Sequence, residues 1–349
     1  MEKIIKWKFK ELKGEFYKTE EDFPELKTGE VLVKVAGCGV CHTDISFWHD
    51  GVKTRKELPL TLGHEISGTV IKGDTHWINK NVIIPAVLPC GECELCKNGR
   101  SNICQKQLMP GNDFDGGFAS HIVVPSRFLC EVPDNALKNY SLSELAVIAD
   151  AVSTPYQVIH KASIHENDLA IIIGTGGIGI YAVQIARLFG AKVLALDIND
   201  EKLLNAEKAG AHRVLNIKGM DGKTIKQKIK EITRQWNVSP YMWKIFEMSG
   251  TAAGQETAFN LLTFASTMSV VGFTMDKVTV RLSNLMAMDA TLIGTWGCKP
   301  ELYPEIVRHV ADGKINIKDF IEEKPLDSIN EVFQNTLQHK YKKRIILKP

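Results

Sequence analysis

The 349-residue chain has no uninterrupted apolar run of about 18 residues, the length that a membrane-crossing helix requires. Its first stretch, MEKIIKWKFKELKG, alternates charged and apolar side chains and lacks the apolar block of a secretory leader. Both absences argue against membrane insertion or export and lead us to expect a cytoplasmic protein. A surplus of one charge is also missing: 43 Lys and Arg against 41 Asp and Glu leave a net charge of +2. That excludes the basic footprint of a nucleic-acid binder or of a protein held on an anionic membrane surface. There is no internal repeat and no low-complexity segment. What remains, 44% hydrophobic and 24% charged residues, is the composition of a globular protein, and the length calls for two domains.

Cysteine is present and unevenly placed. Four of the eight cysteines, Cys90, Cys93, Cys96 and Cys104, fall within fifteen residues as C-x2-C-x2-C-x7-C. In a reducing compartment such a cluster is expected to bind metal rather than to form disulfides. Four thiolates saturate a tetrahedral zinc and leave no open position, so the site would be structural. An iron–sulfur cluster is the competing reading of close C-x2-C spacing, although no second cysteine group accompanies it.

The texture of the chain changes near Asp150. Before it, short β-branched runs such as EVLVKVAGCGV, GHEISGTVI and KNVIIPAVL are bounded by Gly, Pro, Asn and Asp, the pattern of an irregular β domain. After it, strand-like and helix-like segments alternate, which predicts a doubly wound parallel sheet. The terminal YKKRIILKP reads as a strand with no helix after it and is expected to rejoin the first domain. The expected division is 1–152 with 296–349, carrying a metal lobe at about 88–106, and 153–295 between them.

IIIGTGGIG supplies G-x-G-x-x-G through Gly174, Gly176 and Gly179, with Gly177 and Ile178 between them. A lone glycine motif is weak, but here an apolar strand precedes it and a helical segment follows. In that setting a pyrophosphate can approach the free N–H groups at the helix N-terminus. The next strand ends in Asp197, eighteen residues past Gly179, followed by Ile198 rather than Arg. A carboxylate there accepts hydrogen bonds from ribose hydroxyls and repels a 2′-phosphate, which favours NAD over NADP. The alternative is that Asp197 merely caps the next helix.

Further ligand types are scattered: Cys41 in GVCHTD, His64 and Glu65 in LTLGHEISG, and Asp150 in IADAVSTPY. Singly, each has an ordinary explanation as a buried thiol, a structural histidine or a helix cap, and spacing alone does not join them. Together, GVCHTD, GHE, the four-cysteine lobe and GTGGIG resemble the medium-chain zinc alcohol dehydrogenases in order and approximate spacing along almost the whole chain. The resemblance implies an α/β protein with a GroES-like irregular β-barrel domain and a Rossmann domain. It also implies two zinc ions per chain, and alcohol oxidation in which zinc acidifies the substrate hydroxyl and hydride passes to nicotinamide.

Residue by residue, the resemblance puts Cys41, His64 and Asp150 on the catalytic zinc. Many relatives have cysteine where Asp150 stands, and the exchange of soft sulfur for hard oxygen should strengthen the Lewis acid slightly. Glu65 is implied either as a transient ligand or as a plain partner behind the metal. His42 is implied to meet the cofactor pyrophosphate, Thr43 the reacting oxygen, Thr154 the nicotinamide and Lys202 the adenosine ribose, with Arg344 reaching the pyrophosphate. Cys41 and His42, taken as neighbours in an extended segment, should point opposite ways and not share one metal.

Relatives place a proton-relay histidine five residues after the catalytic cysteine, and here that position is Ser46. The expectation is a slow proton exit or another route, through Glu65 or His49. Two longer stretches, LPLTLGHEISGTVI and the run containing MPGNDFDGGFASH, are similar to a branch of the family that acts on cyclic acyl-CoA thioesters. Phe47, Trp48, Phe114 and Trp296 would line a ring-sized pocket or belong to the core. A generic secondary-alcohol or polyol dehydrogenase, 1,4-reduction of a cyclic dienoyl-CoA, and a degenerate NAD-binding protein are the other readings. Relatives imply a homotetramer or homodimer.

Overall fold

The computed structural model describes residues 3–349, and the chain divides into two compact units, one of residues 1–153 and 297–349 and one of residues 154–296. Among the described residues no helix is long and apolar enough to cross a membrane.

In the first unit the central strand is Glu30–Gly39, EVLVKVAGCG, whose β-branched residues favour a pleated, half-buried surface. It pairs antiparallel with Glu65–Gly73, His121–Pro125 and the last strand, Arg344–Lys348. Glu65–Gly73 continues the sheet to Asn81–Ile84 and Cys130–Glu131, and Arg344–Lys348 pairs parallel with Ile321–Pro325. The C-terminal tail therefore does rejoin the first unit, as Ile346 opposite Gly39 shows. One core runs through this unit, and Phe16, Phe47, Trp48, Phe118 and Phe333 fill it. Phe47 and Trp48 are thus packing residues, whereas Trp296 is half exposed.

The second unit is a six-stranded parallel sheet. Its spatial order is Arg213–Asn216, Lys192–Asp197, Leu169–Ile173, Lys244–Glu247, Thr267–Val270 and Thr291–Gly294. Leu169–Ile173 is buried at every position, as a strand covered on both faces must be. It is also where the strand order reverses. Ligands of open α/β sheets bind outside the strand ends at that switch point.

Candidate active site

The Cys41 and His64 loops converge because Glu65–Gly73 and Glu30–Gly39 are paired, Glu65 standing opposite Gly39. Cys41 follows the strand in extended conformation and a short helix, His42–Ile45, begins at the next residue. Cys41 and His42 are therefore not neighbours in an extended segment; the helix start separates them. Cys41 is buried, whereas the exposed His42 ring stacks on that of His339, with centroids 6.0 Å apart.

His64 follows Gly63, whose φ of +98° is a conformation that a side chain rarely adopts. The segment MPGNDFDGGFASH holds this loop. Gly117 N–H donates to Gly63 O at 2.8 Å and Phe118 N–H to Leu62 O at 3.0 Å, while Asp115 Oδ1 accepts from Thr61 N–H at 3.2 Å. Asp115 is anchored in turn by Lys6 and Lys56 at 3.0 and 2.5 Å. This segment therefore acts as a buttress of the His64 loop.

Asp150 ends the 3-10 turn Glu144–Ala149. The Tyr303 hydroxyl donates to Ala149 O, and Ser153 Oγ donates to the same carbonyl at 3.1 Å, fixing the backbone beside Asp150.

Ligand atoms of Cys41, His64, Glu65 and Asp150 all lie within 4.8 Å of one another. Cys41 Sγ is 3.6 Å and His64 Nε2 3.8 Å from Asp150 Oδ2. Bond lengths near 2.3 Å to sulfur and 2.0 Å to nitrogen and oxygen give tetrahedral edges of about 3.3–3.5 Å, so the three residues fit one zinc ion with little movement. Thr43 Oγ1 stands 3.7 Å from Cys41 Sγ, on the same site.

Glu65 is fully buried and differs from the other three. Arg344 Nε donates to its Oε2 at 2.9 Å and Nη2 to its Oε1, a two-pronged pair. Burial pushes the Glu65 carboxyl up to about 7 against the opposing pull of Arg344. The Arg344 guanidinium thus supplies the counter-charge that a buried carboxylate needs.

A residue with no assigned role in the sequence reading is Asp44. It is fully buried; Oδ2 accepts from Cys41 N–H at 2.9 Å, Oδ1 accepts from Gly63 N–H at 3.1 Å, and Oδ1 lies 3.3 Å from His64 Nδ1. One carboxylate therefore ties both ligand loops together and orients the imidazole. Its position three residues after Cys41, the N3 place of a helix that Cys41 begins, was a legible capping signal. Burial disfavours a charged His64, yet Asp44 and Asp150 outweigh it and hold its pKa well above the usual value, so protons compete with metal here. Asp44→Ala is expected to weaken zinc at this site by roughly 10–100-fold, the usual effect of losing a carboxylate behind a ligating histidine. Chelator competition monitored by zinc release checks this, with the four-cysteine zinc as internal reference.

That second group is compact. Cys93 Sγ lies 3.5 Å from Cys96 Sγ and 3.7 Å from Cys104 Sγ, which lies 3.5 Å from Cys90 Sγ. Four bonds of about 2.3 Å to one tetrahedral ion give sulfur–sulfur edges near 3.8 Å. The spacing matches a single ion, is far too long for disulfides, and is shorter than a multi-iron cluster would impose. Donation from the Cys96 backbone N–H lowers Cys93 to about 6, a thiolate ready to bind metal at neutral pH.

In the parallel-sheet unit, a Cβ on Gly179 would sit 1.9 Å from Gly174 O, so only glycine lets the helix Gly179–Leu188 begin there. Gly176 lies beside Lys202, whose Nζ a Cβ would meet at 3.9 Å. Asp197 is held by four protein donors: Thr175 N–H at 2.8 Å and Thr175 Oγ1 at 3.1 Å on Oδ2, and Ile198 and Asn199 N–H at 2.8 and 3.1 Å on Oδ1. A ribose would have to displace the rotatable Thr175 hydroxyl. The next helix, Asp200–Lys208, is capped by Asn199, not by Asp197. Thr154 is buried near the start of the helix Ser153–Lys161.

Comparison with known proteins agrees with this arrangement. Residues 27–134 match the alcohol dehydrogenase GroES-like domain and residues 177–312 match the zinc-binding dehydrogenase domain. An alcohol dehydrogenase of Geobacillus stearothermophilus is 31% identical over 94% of this chain and 95% of that protein. The D-arabinose 1-dehydrogenase (NADP(+)) of Saccharolobus solfataricus is 30% identical, covering 94% and 93%. The crystal structure of galactitol-1-phosphate dehydrogenase from Escherichia coli superposes with a TM-score of 0.87 at 26% identity over 100% of both chains. The chain belongs to the medium-chain zinc-dependent alcohol dehydrogenases. It is an oxidoreductase of the type that acts on CH–OH groups, with one residue set for a catalytic zinc and one for a structural zinc.

Proposed function

We propose that the chain oxidises a secondary alcohol with NAD+, and that its substrate is 6-hydroxycyclohex-1-ene-1-carbonyl-CoA, converted to the 6-oxo thioester during anaerobic breakdown of benzoyl-CoA. The observation that carries the alcohol chemistry is the Cys41–His64–Asp150 cluster with Thr43 beside it. When bound there, zinc supplies Lewis acidity that makes a substrate hydroxyl acidic. Cys41, His64 and Asp150 would hold it, with a summed charge that leaves the site neutral, and the Thr43 hydroxyl would orient the reacting oxygen. The preference for NAD rests on Asp197, a buried carboxylate with no neighbouring Arg that would accept a 2′-phosphate.

The CoA thioester rests on the similarity of residues 58–71 and 85–134 to dehydrogenases of such esters. The buttress role of residues 109–121 also favours a second reading. A segment that serves the His64 loop does not select a substrate, and relatives spanning the whole chain include sugar and polyol-phosphate dehydrogenases. Side-by-side assays separate the two. We expect reduction of NAD+ at least tenfold faster than of NADP+, and turnover of the hydroxycyclohexenoyl-CoA at a kcat/KM well above that of cyclohexanol, 2-butanol and sorbitol. A higher kcat/KM for a simple alcohol or polyol assigns the second reading.

A further inference from the structure

Oxidation of an alcohol to a carbonyl sends a hydride to the nicotinamide and leaves one proton behind. That proton must leave a buried site, since Cys41 is 7% and His64 2% exposed. Two routes are closed. Glu65 is fully buried with both oxygens held by Arg344, and His64 Nδ1 faces the equally buried Asp44. The expected exit through Glu65 therefore ends at a guanidinium, which has no proton to give up.

The third direction runs along the helical segment from His42 to Asp50. Thr43 lies on the metal site, and Ser46, one turn further, donates its N–H to the carbonyls of His42 and Thr43. Ser46 is 6% exposed. From Ser46 the chain widens into a π turn, Ser46–Asp50, closed by Gly51 N–H on Ser46 O. Single π turns inside helices recur at functional sites because they re-aim side chains. Here the turn carries the Asp50 carboxylate to the side of the Ser46 hydroxyl; His49 first, and Ser46 after it, hold the Asp50 carboxyl below its usual range. Asp50 Oδ1 is also 2.8 Å from His49 Nδ1. The His49 and Asp50 side chains are about one-third exposed, at 29% and 34%. Hydroxyl, carboxylate and imidazole thus lie in succession from a buried position to solvent, the last two hydrogen-bonded to each other.

We propose that Ser46, Asp50 and His49 are the proton outlet of this dehydrogenase. The inference rests on the alcohol-oxidising reading above. The path requires one water between the Thr43 and Ser46 hydroxyls. Ser46 accepts a proton and passes its own to Asp50; Asp50 passes it to His49 Nδ1; the imidazolium releases a proton from Nε2 to solvent, and the ring regains its starting tautomer by exchange with water. One proton enters and one leaves, with no electron transferred in the outlet. Imidazole suits the last place because it alone changes charge between pH 5 and 8 without a perturbing environment. Charged groups around the pair are His42, which acts on Asp50 electrostatically, and Lys13, Glu15 and Glu331 around the groove beside Trp48. The Trp48 ring packs on His49, with centroids 5.9 Å apart.

The test uses zinc-loaded wild type, His49→Gln and Asp50→Asn. Wild-type kcat for alcohol oxidation should fall as pH is lowered from about 8 to about 5, the range in which an imidazole changes charge. His49→Gln should lose on the order of a hundredfold in kcat at pH 6.5 to 7 with KM for the cofactor unchanged, and 50 mM imidazole buffer should restore much of it. Independently of turnover, the NMR titration midpoint of His49 should move down in Asp50→Asn, since the carboxylate that favours the imidazolium is gone. A His49→Gln enzyme that matches wild type at every pH, or a His49 midpoint that Asp50→Asn leaves in place, overturns the outlet while the dehydrogenase reading stands. A wild type that oxidises no alcohol with either nicotinamide cofactor overturns both.

Discussion

Replacing Cys41 with serine will remove one of the two zinc ions expected per chain and cut alcohol oxidation by on the order of a thousandfold. The size follows from the role. Lewis-acid stabilisation of a developing alkoxide is worth several kcal/mol, and each 1.4 kcal/mol is about tenfold in rate. Serine keeps the shape of the side chain but not a thiolate, and its hydroxyl stays protonated at neutral pH. Only His64 and Asp150 then remain of the inner three, and Glu65 is unable to replace the thiolate while Arg344 holds both its oxygens. Metal analysis and NAD+-reduction rates on the same preparation check this. Two zinc ions and unaltered turnover in Cys41→Ser would remove Cys41 from the site.

Cys104→Ser should produce the second large effect, on stability rather than on rate. Cys104 is the most buried of its group, and its sulfur accepts from Cys90 N–H at 3.4 Å and Lys106 N–H at 3.3 Å besides facing two partner sulfurs. The lobe has few apolar residues, a four-residue helix, Glu94–Lys97, with none of its residues buried, and a single 3-10 turn, Ser101–Ile103, so a metal is its main source of order. Loss of the ion should lower the thermal midpoint by roughly 10 °C, measurable by calorimetry. Cys90, Cys93 and Cys96 should become reactive toward a thiol reagent that spares them in wild type. A variant with an unchanged midpoint and protected thiols would show that the four sulfurs do not share an ion.

The two motifs that were legible in the sequence are contiguous ones. The four-cysteine lobe and the glycine loop each place their chemistry within about fifteen residues, so local spacing already implies a site. The catalytic group does not work that way. Cys41 and Asp150 are 109 residues apart, and only sheet pairing and the Tyr303 clamp bring them together. Family resemblance joined them; residue type alone could not. Asp44 was overlooked because an aspartate near a helix start is commonplace, and its meaning comes from two backbone donors that belong to different loops. That Arg344 pairs with Glu65, 279 positions away, was not legible either, because a lone arginine carries no sign of its partner. The extended reading of Cys41–His42 failed one residue too late, since Cys41 is extended and His42 already helical.

The clamp of Tyr303 on Ala149 and the pairing of Arg344 with Glu65 have a consequence for biosynthesis. Tyr303 and Arg344 both belong to residues 297–349, which leave the ribosome after residues 154–296. The middle unit, residues 154–296, is complete in sequence before they emerge. The usual order of assembly during translation, N-terminal domain first, is therefore inverted here. The nascent first unit must wait with Cys38 and Gly39 of the central strand unpaired on one side, and with Glu65 lacking its counter-charge, until Arg344–Lys348 arrives. A catalytic metal can settle in its finished site only after Arg344 has emerged, whereas the four-cysteine lobe, complete by residue 104, can take up its ion about 240 residues earlier.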